Sequence, residues 1–279
     1  MMLSILGMGL TGLVFQEIKF ANAYQRITLS LPIARAATRA VFYLRDNDIT
    51  PGFDTFDELT KENQQLLCEN NSYRYYFADK ASSRDQSEII DESALINLNT
   101  ASVDVLKRLP GMDEELADKL VNSGLRPFNS INEVLLVKDI SKDKFLLFKN
   151  LVTVYGSGRI NINTAPRAVL VALGLDEELV DAILRFRQEH KIENPNPAST
   201  EVLGYGFSDT SKILDDLRSF TFLSLKQEQD ILSLLNVLDV KSEYLRFNVI
   251  AVFGNNKEGL HYSIVIHPAS RQILSWREY

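Results

Sequence analysis

Cysteine is nearly absent. Cys68 stands alone among 279 residues, so neither an internal disulfide nor a cysteine-based metal site can form. Histidine is almost as scarce: His190, His261 and His267 show no metal-ligand spacing with carboxylates. A zinc centre needs three or four convergent ligands, so these read as surface or packing residues. There is no Walker-type glycine loop. Ser157 lies in Gly156-Ser157-Gly158, which punctuates a loop and does not build a nucleophile elbow. No constellation supports catalysis, and a non-enzymatic role is expected. Positive charge is not in excess either, since 30 Lys and Arg meet 37 Asp and Glu for a net charge of −7. That balance favours solubility and lacks the cationic footprint of nucleic-acid-binding proteins.

Long hydrophobic runs are also missing. Crossing a bilayer core takes roughly 20 apolar residues, whereas the uncharged N-terminal stretch runs only from Met1 to Gln16, with Glu17 and Lys19 following. A secretory signal opens on basic residues and closes at a small-residue cleavage site, and neither is clear here. The pattern continues as an amphipathic helix, with Ile33, Ala37, Ala40, Val41 and Leu44 on one stripe. Pro32 should kink or restart it. Two readings stand: the lower part of a membrane-entering helix that runs into a soluble head, or a buried core helix, which so short a run also suits.

What the chain does have is a repeat. Ile96-Asn97-Leu98-Asn99-Thr100-Ala101 returns as Ile160-Asn161-Ile162-Asn163-Thr164-Ala165. Leu109-Pro110-Gly111 and Asp113-Glu114-Glu115 follow the first copy, and Leu173-Gly174 and Asp176-Glu177-Glu178 the second. Asn and Thr ahead of an apolar-periodic run are helix-start signals, so Thr100 and Thr164 are expected caps. Pro166 suits a first helical turn, and Gly111 and Gly174 suit the left-handed stop. Asp113 and Asp176 are expected to cap the next helix. This is helix-hairpin-helix grammar, whose familiar use is gripping phosphate with N–H groups at a helix N-terminus. Here six carboxylates occupy those ends and repel an anion. Residues 96–190 hold 12 Lys/Arg against 13 Asp/Glu, so no basic surface compensates, and no nucleic-acid partner is expected. The acidic turns could instead hold a calcium-like cation, although capping explains them more simply.

Around the repeats the pattern changes. Tyr73 to Ala78 has strand character, as does Ser87 to Leu98, with a polar loop through Ser82, Ser83 and Asp85 between them. Phe53 to Cys68 leans helical. A helical block extends to about Val237, broken by an extended loop region at Glu193–Pro197 and Gly204–Gly206. The end of the chain alternates: Leu245, Phe247, Val249, Ala251 and Phe253, then Tyr262, Ile264 and Ile266, then Ile273 to Trp276. The loop Gly254–Gly259 and the turn at Pro268 make this a three-strand antiparallel meander. The expected class is α+β, with a long N-terminal helix on an antiparallel sheet and a large all-α insertion. Its parts are 1–45 for the helix, 46–98 for the first part of the head, 99–237 for the insertion and 238–279 for the closing strands.

This order of parts resembles the minor pseudopilin K (GspK) family of type II secretion systems over nearly the whole chain. The carrying residues are Ile96–Ala101 with Leu109-Pro110-Gly111, Ile160–Pro166 with Leu173-Gly174, and the strands ending Trp276-Arg277-Glu278-Tyr279. The resemblance implies a pilin-like head enlarged by an inserted helical domain, anchored in the inner membrane with the head in the periplasm. It implies a place at the pseudopilus tip, starting and capping the fibre with I- and J-type minor pseudopilins and inner-membrane secretion components as partners. Leu3, Ile5, Leu6, Leu10, Leu13, Val14 and Phe15 would then pack against lipid and partner helices, and Gly7, Gly9 and Gly12 would allow close approach. The family's basic leader, cut after a glycine, has no counterpart before the apolar run, and Gly52-Phe53 lies too late to serve, so a start upstream of Met1 or a truncated sequence is expected. Calcium is implied only by the family, with no ligand residue assignable here. The competing expectation is a membrane-anchored helix-hairpin-helix DNA receptor of competence type.

Overall fold

The computed structural model describes residues 2–59, 68–69, 73–77, 89–194, 196, 199–253 and 259–278. Helix α1, Met2–Asp46, is the longest element. It passes through Pro32 without a break, contrary to the expected restart. A proline removes one backbone bond, but the second half of the helix is held in line by packing. Ile33, Ala34, Ala37 and Val41 are all buried against the sheet. Thr38 adds a hydrogen bond from its hydroxyl to the Ala34 carbonyl at 3.0 Å.

The sheet beneath α1 is antiparallel throughout. Its strands are β1 (Cys68–Glu69), β2 (Tyr73–Phe77), β3 (Ile89–Asp91), β10 (Leu245–Phe253), β11 (Leu260–His267) and β12 (Gln272–Glu278), in the order β1-β2-β10-β11-β12. β3 shares one edge of β10 with β2: Tyr73–Phe77 pairs with Phe253–Val249, and Ile89–Asp91 with Phe247–Leu245. The alternation read in the C-terminal strands is present, with Leu245, Phe247, Val249, Ala251, Tyr262, Ile264 and Ile266 all in the cluster that packs on α1. Tyr262 also places its hydroxyl 2.9 Å from that of Ser30 on the helix. The strand expected from Ser87 to Leu98 is shorter than its alternation suggests. It breaks after Asp91, whose carboxylate accepts from the Ser93 N–H at 2.8 Å and turns the chain into a 3-10 segment, Glu92–Ala94. The loop through Ser82, Ser83 and Asp85, and most of the Gly254–Gly259 loop, lie outside the described residues. In the Phe53–Cys68 stretch, residues 56–59 are helical and Cys68 opens β1.

The inserted block has its own core, separate from the one under α1. Its helices are α2 (Val103–Leu106), α3 (Glu114–Val121), α4 (Lys142–Phe148), α5 (Arg167–Ala172), α6 (Glu177–Glu189), α7 (Ile213–Phe220) and α8 (Leu225–Leu234). An all-α expectation passes over three two-strand ladders here. β4 (Ile96–Asn97) runs parallel to β5 (Val152–Thr153), and β6 (Ile160–Asn161) runs parallel to β9 (Leu238–Asp239). β7 (Lys191–Glu193) and β8 (Val202–Tyr205) form a hairpin across the expected loop region. Each repeat therefore opens on a strand closed by a later return strand. The helical turns between α2 and α3 and between α5 and α6 use Gly111 at φ +73° and Gly174 at φ +100°, a region open to glycine at no steric cost. Leu170 is fully buried in this core. Leu170→Ala should cost about 2–5 kcal/mol in urea unfolding, and a loss below about 1 kcal/mol would show that the site collapses to fill the gap.

Candidate partner-binding helix and the junction behind it

The first half of α1 makes a different surface from the second. Residues 11–24 are exposed throughout. Leu13, Val14 and Phe15 are open to solvent, as are Ile18, Phe20, Tyr24 and Ile27, and Phe20 is 75% exposed. Successive helical residues are about 100° apart, so Leu13, Val14 and Phe15 alone make three faces of the helix apolar. Gln16, Glu17, Lys19 and Asn22 are interleaved with these apolar residues, and large apolar side chains left open side by side mark an interaction surface. Nothing approaches the position where Gly12 would carry a Cβ. The side chains of Leu3, Ile5, Leu6 and Leu10 lie outside the described residues, although their backbone continues the helix. Among the described residues, no helix is long and apolar enough to cross a membrane.

Behind this helix, buried polar residues join head and insertion. Asn161 places its amide nitrogen 3.0 Å from the Asp91 carboxylate, 3.0 Å from the Ser242 hydroxyl and 3.2 Å from the Asp54 carbonyl. Thr164 and Ser242 each donate to the same Asp91 oxygen at 2.6 Å. Thr164 is thus spent on Asp91, and α5 has Pro166 at its N-cap position. Thr100 does not cap α2 either: Ser102 holds that position, and the Thr100 side chain packs over Gly158. Both threonines stand too early in the chain to reach the first helical N–H groups, because each motif first completes its strand and turn. Asp113 and Asp176 do sit at N-caps, each accepting from a backbone N–H three residues on, Leu116 or Leu179, at 2.8 Å.

The second asparagine of each motif has a role that propensity does not suggest. Asn99 accepts from the Phe128 N–H at 2.7 Å and donates to the Phe128 carbonyl at 3.0 Å. Asn163 makes the same pair with Phe207, both at 2.8 Å. Each amide acts as a one-residue strand that pins a distant loop. The signal for this was available, because both asparagines are identical in the two copies.

A second polar group lies where α1 meets the head. Asp48, Asp54 and Glu58 bring carboxylate oxygens within 4.8 Å of one another. The Arg45 guanidinium sits among them, 3.5 Å from Asp48, 3.7 Å from Glu58 and closest to Asp54. A calcium ion takes six to eight oxygen ligands, and here a nitrogen cation already fills the centre. The donor set as it stands fits Arg45 and not calcium. Burial pushes the Glu58 carboxyl up to about 8, aided by the charges of Asp54 and Asp48 and opposed by Arg45. Burial also raises Asp54, and it outweighs the lowering by Arg45. None of Arg45, Asp54, Asp91, Glu58 or Ser242 stood out in the sequence, where short polar residues look like loop surface.

A long helix with a bare apolar front, lying on an antiparallel sheet and enlarged by a helical insertion, defines a pilin-like α+β architecture. Residues 91–153 match the helix-hairpin-helix motif family. No curated protein matches the chain. Among solved structures the chain is similar to one in the GspK-GspI-GspJ complex from the type 2 secretion system of enterotoxigenic Escherichia coli. The two are 17% identical, over 93% of this chain and 99% of that chain, with a TM-score of 0.60. The chain shares the fold of that chain.

Glu58 gives this region a pH signature. Its folded-state pKa lies above its unfolded value of 4.5, so its stabilising contribution is complete below about pH 4.5 and is lost as pH rises through about 8. Glu58→Gln should flatten the fall of unfolding free energy across that window, as measured by urea titrations at stepped pH. An unchanged slope would mean that Glu58 is ionised in the folded state.

Proposed function

We propose that the chain is a minor pseudopilin of a type II secretion pseudopilus. In this reading it is structural and not enzymatic, held in the inner membrane by α1 with its head in the periplasm. The carrying observation is the set of exposed apolar side chains on the front of α1, Leu13, Val14, Phe15, Ile18, Phe20, Tyr24 and Ile27, on a fold shared with a chain of the GspK-GspI-GspJ complex. Burying one large apolar side chain is worth roughly 1.5–3 kcal/mol relative to water, so this surface must remain in lipid or exchange lipid for helices of sister subunits. Leu3, Ile5, Leu6 and Leu10 continue the apolar sequence toward the start of the helix. I- and J-type minor pseudopilins and inner-membrane secretion components are the partners that suit it. Phe15→Glu combined with Leu13→Glu should abolish co-purification with those two pseudopilins from detergent-solubilised membranes, while the head keeps its Tm. Full retention of both partners would refute the reading.

The insertion, residues 99–237, adds a second core, and in this reading its bulk hinders a sister subunit from stacking above. On that ground the subunit starts and caps the fibre and does not repeat along its shaft. Cross-linking along the shaft should appear once the insertion is replaced by a short linker, provided circular dichroism shows the head still folded. Exclusion of a folded, shortened subunit would remove the steric account. The DNA-receptor alternative draws on the match at residues 91–153 but is disfavoured. Asp113 and Asp176 already take the helix-end N–H groups that a phosphate would need, and Glu114, Glu115, Glu177 and Glu178 crowd the same ends.

A further inference from the structure

A cleft of about 470 Å³ opens between the second repeat and the chain that follows α1. Pro166, Leu184 and Tyr205 give it an apolar wall, and the exposed Phe56 and Asp57 reach it from the head side. Arg187 is the cation in its lining. One nitrogen of that guanidinium, Nη1, donates to the Ile162 carbonyl at 2.8 Å and to the Ala165 carbonyl at 2.9 Å. Its remaining donors bond to no described protein group, and no described carboxylate lies within ion-pair distance. Burial alone draws its pKa down to about 10, as expected of a cation removed from water without a counter-charge. Asp57 shares the cleft yet forms no ion pair with Arg187, so the two opposite charges stand apart.

In the other repeat an arginine holds the motif's carbonyl too, and burial alone again lowers its pKa. There Arg126 serves the matching carbonyl, that of Ala101, at 3.1 Å, and Arg126 does not line this cleft. Holding the carbonyl accounts for one nitrogen of Arg187 and leaves the rest of a planar fork whose geometry matches a carboxylate. An apolar wall with a few fixed polar groups is the general form of a ligand site.

We propose that this cleft receives the free carboxyl end of a peptide. The carboxylate meets Arg187, a backbone N–H of the peptide meets Asp57, and the last side chain packs on Pro166, Leu184 and Tyr205. The site is independent of the assembly role carried by α1. Two sources share this chemistry, a peptide terminus and a free small acid, and Asp57 favours the first because it needs a donor that a simple acid lacks. Isothermal titration of the full chain in detergent, using an N-acetylated tripeptide ending in phenylalanine, its C-terminal amide, and benzoate, separates them. The free-acid peptide should saturate, and the amide and benzoate should each bind at least about tenfold more weakly. Leu184→Glu, which sets a rival carboxylate in the same cleft as Arg187, should abolish binding, with a lowered Tm because Leu184 packs against the insertion's core. Asp57→Asn, at an exposed position, should weaken binding several-fold and serves if Leu184→Glu does not fold. Equal affinity for acid and amide overturns the proposal, as does benzoate binding as tightly as the peptide. Undiminished binding by either folded variant overturns it too.

Discussion

The joint at Asp91 is the constraint on which the two halves of the molecule depend. Inserting a domain into a sheet requires the chain to leave one strand and return at another, and both crossings expose polar groups that water cannot reach. Asp91 ends β3 on the way out, and Ser242 precedes β10 on the way back. The Ser242 hydroxyl bonds Asp91, and its N–H donates to the Asp54 carboxylate at 2.6 Å. Asn161, from the second repeat, fills the space between them. A buried polar group left without a partner costs about 1–3 kcal/mol, so removing any member strands the others. Burial lifts the Asp91 carboxyl to about 6 even though Ser242 and Thr164 donate to it. Beside it, buried Glu92 accepts from the Thr153 hydroxyl of the first repeat and pairs with Arg246 of β10 at 2.9 Å. Head and insertion have separate apolar cores and one shared polar seam.

The duplication shows how one backbone device came to serve two ends. In both copies the first asparagine accepts from the N–H of the second, Asn97 from Asn99 at 2.8 Å and Asn161 from Asn163 at 3.0 Å. What differs is the direction in which the first amide donates. Asn97 reaches the carbonyls of Tyr155 and Gly156, within its own module. Asn161 reaches Asp54, Asp91 and Ser242, outside it. The hexapeptide, alike in the two copies except for Leu98 and Ile162, thus closes a module in one place and attaches the whole insertion in the other. Neither use involves an anion at a helix end, which is why helix-hairpin-helix grammar in this chain carries no requirement for basic residues.

Much of this was legible where a single periodicity dominates. The C-terminal strands alternate because one face packs on α1, and Leu245 through Ala251 report that directly. Asp113 and Asp176 were legible as caps because capping is local, needing only the next three residues. Thr100 and Thr164 were misread for the same reason turned round: their side chains answer to Gly158 and Asp91, far away in sequence, and local propensity is silent on that. Pro32 does not restart the helix, because its local cost is visible in sequence while the packing of Ile33, Ala34, Ala37 and Val41 that offsets it belongs to the folded state. The two-residue ladders β4–β5 and β6–β9 are too short for any alternation to develop. Arg45 with its three carboxylates escaped notice because charged residues after a helix ordinarily mark solvent.

Helix α1 sets two solvents end to end. From Ser30 onward one face is committed to the sheet, with Ala34, Ala37 and Val41 fully buried, and the ring of Tyr262 closes over its start. Before Ser30 the helix continues while Leu13, Phe15 and Phe20 stay open to solvent among the described residues, with only Lys19 of the same helix lying over the Phe15 ring. Helices in proteins gain most of their stability from tertiary packing of an apolar face, so the front half depends on a surface other than the sheet that holds the second half. Contiguous exposed apolar area of this kind marks an interaction site with protein or membrane. The small head-side alanines, 34 and 37, let the helix lie close to the strands, so the sheet holds the projecting front half at a fixed angle. The insertion is tied to the same sheet by the buried hydrogen bonds at Asp91, so helix, sheet and insertion share one set of anchoring residues.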